Sequence, residues 1–139
     1  MKHAKRLFHF LSGSLFAIFL AATAQAAQPI PKDKLAAMLT GKTADGMHHR
    51  KGFAYKIYFA PDGKLLRVKE NGDQSGGEWK IKDNGRHCVQ FDHMYAFKCF
   101  YFRDGGDGSI TKFKVKDNGD TILLTTLKNF KDGNHTGAK

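Results

Sequence analysis

From Phe53 onward the chain repeats one local rule: a short run in which side chains alternate in character, then a tight turn rich in Asp, Asn and Gly. Phe53, Tyr55, Ile57 and Phe59 alternate with Ala54, Lys56 and Tyr58, the period-two signature of a strand that buries one face. Ala60-Pro61-Asp62-Gly63 then turns the chain. The same device returns as Asn71-Gly72-Asp73, Asp83-Asn84-Gly85, Asp92 to Tyr95, Asp104 to Gly108 and Asp117-Asn118-Gly119. The strands this predicts cover 53–59, 64–70, 77–82, 86–91, 96–103, 109–116 and 121–128, with a last one near Phe130. Seven to eight short strands in sequence order give an all-β, antiparallel fold, either an up-and-down barrel or a sandwich. The barrel is the expected form, because closure leaves no edge strand to aggregate.

Side-chain parity sets the faces. Trp79 and Ile81 are predicted to point inward against Glu78, Lys80 and Lys82, and Thr111, Phe113 and Val115 inward against Ile110, Lys112, Lys114 and Lys116. Ahead of the strands, KDKLAAMLTG predicts one short N-terminal helix. Pro31 suits its first turn, Leu35, Met38 and Leu39 share a face, and Gly41 stops it.

The segment MKHAKRLFHFLSGSLFAIFLAATAQA has the build of a secretory signal: Lys2, Lys5 and Arg6, then an apolar run, then Ala24-Gln25-Ala26. Residues 1–26 are therefore expected to be removed, leaving 27–139 as one barrel domain in the periplasm or outside the cell. The apolar run is too short and too interrupted for a stable membrane anchor. The signal carries three of the 23 Lys and Arg and none of the 13 acids, so the remaining chain is basic by about seven charges. Nearly all of these cations are Lys. Only Arg50, Arg67, Arg86 and Arg103 offer the planar fork suited to phosphate, and no nucleic-acid partner is expected.

An exported chain meets an oxidising compartment, and its two cysteines, Cys88 and Cys99, are expected to pair. They lie symmetrically about the midpoint between His93 and Met94. A hairpin centred there sets them directly opposite each other, and a four-residue Asp92 to Tyr95 loop makes them a non-hydrogen-bonded pair, the closer kind.

The order Leu39-Thr40-Gly41-Lys42-Thr43 with Gly46, Tyr58-Phe59-Ala60-Pro61-Asp62-Gly63, Gly77-Glu78-Trp79-Lys80-Ile81, Cys88, Cys99 and Asp132-Gly133-Asn134 resembles small secreted proteobacterial proteins of unknown function. These look like lipocalin-like β-meanders with a G-x-W strand and two cysteines. The resemblance implies fold and export and brings no catalytic residue with it.

Motifs that could carry a reaction fail on inspection. Gly41-Lys42-Thr43 has the tail of a phosphate-binding loop, but Ala36 stands where the upstream Gly belongs and no strand precedes it. Asp104 to Ser109 has the composition of a calcium loop without its alternating ligands or terminal Glu. His48, His49, His87, His93 and His135, with Met47 and Met94, are scattered donors in no metal-binding spacing. No catalytic residue, metal or cofactor is therefore assigned.

Aromatic residues outnumber what one thin core needs, and residues 96–103 are apolar on both faces. Tyr55, Trp79, Phe97, Tyr101 and Phe113 are the predicted walls of a pocket for a small apolar or amphipathic molecule. The rival expectations are an interaction or inhibitor module using the loops Met47 to Lys51 or Asp104 to Gly108 on an envelope protein, and association of the lysines with anionic envelope surfaces.

Overall fold

A computed structural model describes residues 28–139, so the expected signal segment and its cleavage point lie outside the described residues. Eight antiparallel strands close in sequence order, β1 pairing with both β2 and β8. The elements are α1 (Lys32–Leu39), β1 (Lys42–His48), β2 (Phe53–Phe59), β3 (Lys64–Lys69), β4 (Gln74–Ile81), β5 (His87–Phe91), β6 (Lys98–Asp104), β7 (Ile110–Val115) and β8 (Thr121–Asp132).

The strand count agrees with the sequence, but its make-up differs. β1 was not foreseen: KTADGMH offers small and polar residues where an apolar alternation is sought, although Thr43, Ala44 and Gly46 are buried. At the other end, the predicted strand 121–128 and the one near Phe130 are a single strand. Asn129, at φ 55°, lets β8 bulge past Ala44 and continue to Asp132, and its side-chain amide donates to Asp45 Oδ2 at 2.9 Å.

Helix α1 forms the closed end. Leu35 and Leu39 are fully buried against Ile30, Phe59, Phe102 and the rest of the core, and Gly41 follows the helix at φ 72°. Lys32 reaches Asp83 at 2.7 Å and Lys34 reaches Asp104 at 3.4 Å, tying the helix to the β4–β5 and β6–β7 turns. Pro29 bridges to Arg103, and the Ile30 amide donates to the Phe102 carbonyl. This segment occupies the edge of β6 beyond the short β5–β6 ladder, which has only three residue pairs. The opposite end, carrying the β1–β2, β3–β4, β5–β6 and β7–β8 connections, has no such plug among the described residues.

The ladder expected from the cysteine spacing is present: Cys88 faces Cys99, the two are disulfide-bonded, and their Cα atoms are 4.0 Å apart. Among the described residues no helix is long and apolar enough to cross a membrane.

Candidate ligand-binding cavity

An eight-stranded barrel is only just wide enough for its side chains to fill it. Here two of the inward positions lining the interior carry little bulk, Ser75 on β4 and Thr125 on β8. The result is a cavity of about 750 Å³ reaching from the open end to the floor above α1. Phe53, Ile57, Phe59, Phe91, Phe100 and Phe102 supply most of its apolar wall.

Of the five predicted wall residues, Tyr55 lines this cavity. Its ring lies flat over Gly46, where a Cβ would overlap its Cε2 and Cζ atoms. Trp79 stands behind the floor: it packs edge-on against Phe59 at 5.3 Å, and its Nε1 donates to the Ala60 carbonyl at 3.0 Å. Phe97 precedes β6 instead of belonging to it, and Lys80 Nζ covers it at 4.3 Å. Tyr101 and Phe113 pair across β6 and β7 and stack at 6.3 Å on the face opposite to the cavity-lining Phe102. Arg86 and Arg103 lie over them from outside.

Phe102 pairs with Lys112, so Lys112 and not Phe113 points into the barrel. The inward-outward order expected for the strand at 109–116 is thus reversed, with Ile110 fully buried and Val115 exposed. The β7–β8 register shifts between Lys112 and Phe113, which changes the pairing there.

Three polar residues to which sequence reasoning gave no place in a pocket face the cavity. Arg67 holds its guanidinium 4.0 Å above the Phe91 ring, with Phe53 and Tyr55 at 5.6 and 5.8 Å, and its Nε is buried without a hydrogen-bond partner. Lys112 places its Nζ 5.1 Å from the centre of the Phe102 ring. His87 is 1% exposed, sits edge-on to Phe59 and Phe102, and has no hydrogen-bond partner on either ring nitrogen. Burial depresses the Lys112 ammonium to about 8 and the Arg67 guanidinium below its ordinary value. Burial, helped by the Lys112 charge, holds the His87 imidazolium well below its ordinary range, so the ring is neutral at pH 7. Burial raises the Tyr55 phenol.

The other candidate features have local employment. Met47 and His48 belong to β1, so the exposed connection is shorter than the Met47 to Lys51 loop expected. His49 bonds the Thr126 hydroxyl, and His135 bonds the Asp132 carbonyl. Among the described residues no three His, Cys, Asp or Glu side chains converge. In the calcium-like segment, Asp104 accepts from the Gly106 amide and Asp107 from the Ser109 amide, as turns of this composition do. Thr43 of the Gly-Lys-Thr sequence donates its hydroxyl to the Gly133 carbonyl.

Comparison with protein-family models, with curated proteins and with solved structures finds no match to this chain.

Proposed function

We propose that this is an exported, non-catalytic binding protein whose barrel holds a small apolar or amphipathic molecule. The carrying observation is the cavity of about 750 Å³, open at one end and walled largely by aromatic rings, within the size range of small-molecule sites. Export, to the periplasm or beyond the cell, is supported by the signal-like leader and by the Cys88–Cys99 bond, which persists in oxidising compartments. The resemblance to secreted lipocalin-like meanders supports the same reading. Neither nucleic acid nor membrane insertion after cleavage forms part of it.

The test is titration with the neutral fluorophore N-phenylnaphthylamine. Saturable one-to-one binding is expected, undiminished at about 0.5 M salt, since an apolar site is not screened. Ser75→Trp, which fills the cavity mouth, should abolish it while leaving the circular dichroism unchanged. A folded, disulfide-bonded protein that shows no saturable binding of this probe or of its sulfonated analogue would refute the container. That result would favour partner docking through the loops, where Tyr95 stands fully exposed on the β5–β6 connection.

A further inference from the structure

The charge of the cavity wall narrows the ligand class, an inference that rests on the container reading above. Arg67, Lys69, Lys98 and Lys112 line the cavity, Arg50 and Lys51 stand at its mouth, and among the described residues none of those lining it is Asp or Glu. The four ion pairs among the described residues all lie elsewhere, joining Lys32 to Asp83, Lys34 to Asp104, Lys56 to Asp45 and Lys64 to Glu78.

Cations taken out of water need a counter-charge or a full set of acceptors. Aromatic faces supply part of that for Arg67 and Lys112, but Arg67 Nε has no acceptor and nothing anionic faces either group. The neutral His87 at the floor adds two further ring nitrogens without partners. A metal cation is opposed by the surrounding positive charge. A neutral ligand would leave the cations as they are, and a small inorganic anion would have to shed its hydration among phenyl rings. One ligand type satisfies both the charge and the walls.

We propose that the cavity takes an amphipathic organic anion, whose acidic head is held by Arg67 and Lys112 and whose apolar body lies against Phe53, Phe91, Phe100 and Phe102. The Tyr55 hydroxyl and Thr125, which pairs directly with Lys112 across β7 and β8, stand beside the head as neutral donors. Arg50 and Lys51 at the mouth attract the anion and speed its entry.

Two probes with one skeleton test this. Anilinonaphthalene sulfonate carries the phenylnaphthylamine framework plus one negative charge, and N-phenylnaphthylamine is its neutral counterpart. The sulfonate should bind about tenfold or more tightly than the neutral probe, the difference expected of a charge-assisted hydrogen bond. Arg67→Met and Lys112→Met should each remove about tenfold of the sulfonate affinity and leave the neutral probe within about twofold, whereas Lys112→Arg should retain the preference. Equal affinity of the wild-type protein for the two probes overturns the anion inference and leaves the container intact. Failure of both probes removes the container itself. A sulfonate preference that survives both Met substitutions overturns the assignment to Arg67 and Lys112, and because the wild-type comparison needs no variant, a misfolded mutant cannot hide the answer.

Discussion

Lys112 and His87 show what burial does to single residues in this barrel. A Lys held at about 8 is charged at neutral pH in a place where charge is unfavourable, so it lowers the stability of the empty protein. Lys112→Met should therefore raise stability by about 1–3 kcal/mol at pH 7 in urea unfolding, while weakening anion binding. The sign with pH follows from linkage. Between about 8 and 10.5 the unfolded chain holds the Lys112 proton and the folded chain does not, so this residue makes stability rise with pH across that window. His87 acts in the same direction at lower pH: its folded-state value lies well below 6.5, so stability is present above 6.5 and is lost as pH falls below it. Urea unfolding between about pH 5 and 7 should show that loss, at up to about 1.4 kcal/mol per pH unit, and His87→Phe should reduce it. Neither residue could be placed inside the barrel from sequence alone. Lys112 sits in a run of alternating lysines, and only the pairing of Phe102 with Lys112, beside the shifted β7–β8 register, tells which way it points.

Among the elements, strands with strong alternation were legible and those without were not. β2 was foreseen at its full extent because Phe53, Tyr55, Ile57 and Phe59 mark one face. β1 was missed because its buried positions are Thr43, Ala44 and Gly46, and the Gly46 position is filled by the Tyr55 ring from the neighbouring strand. A strand whose inward face is completed by another strand carries little signal of its own. The cysteine pairing was legible because it depends only on symmetry about a turn. Its role is clearer in the fold: the β5–β6 ladder has three pairs against seven for β1–β2, and the disulfide joins the middle pair. Replacing both cysteines with Ser should lower stability by about 2–3 kcal/mol in chemical unfolding, as closure of a short loop implies. Hydrogen exchange should then speed most at the amides of β5 and β6. Equal acceleration in all eight strands would contradict the disulfide's place as the staple of this one seam.

At the scale of the molecule, α1 closes one end of the barrel and the other end opens onto a cavity whose wall is aromatic and whose charge is all of one sign. The barrel itself could be read from turn spacing, which is local. The cavity could not, because its lining, from the small Ser75 and Thr125 to the cationic Arg67 and Lys112, is assembled from residues on different strands. The predicted wall at Tyr101 lies outside because a strand apolar on both faces does not say which face is in, and Phe113 lies outside because Lys112 takes the inward position on β7. If Lys112 is a cation held inside for an anion, the ¹⁵N shift of its Nζ, followed against pH, reports it directly. The charged or titrating groups that line the cavity with Lys112 are His87 on β5, Tyr55 on β2, Arg67 and Lys69 on β3, Lys98 on β6, His48 on β1, and Arg50, Lys51 and His93 on the connections at its mouth. Burial favours the neutral forms of His87, His48 and Tyr55, which leaves Lys112 as the group displaced into the range near 8. A midpoint near 8 is expected in the free protein, with an upward move of about one unit or more when anilinonaphthalene sulfonate is bound and no rise for the neutral probe. A free-protein midpoint at the ordinary 10.5, or one that bound sulfonate leaves unmoved, would contradict it.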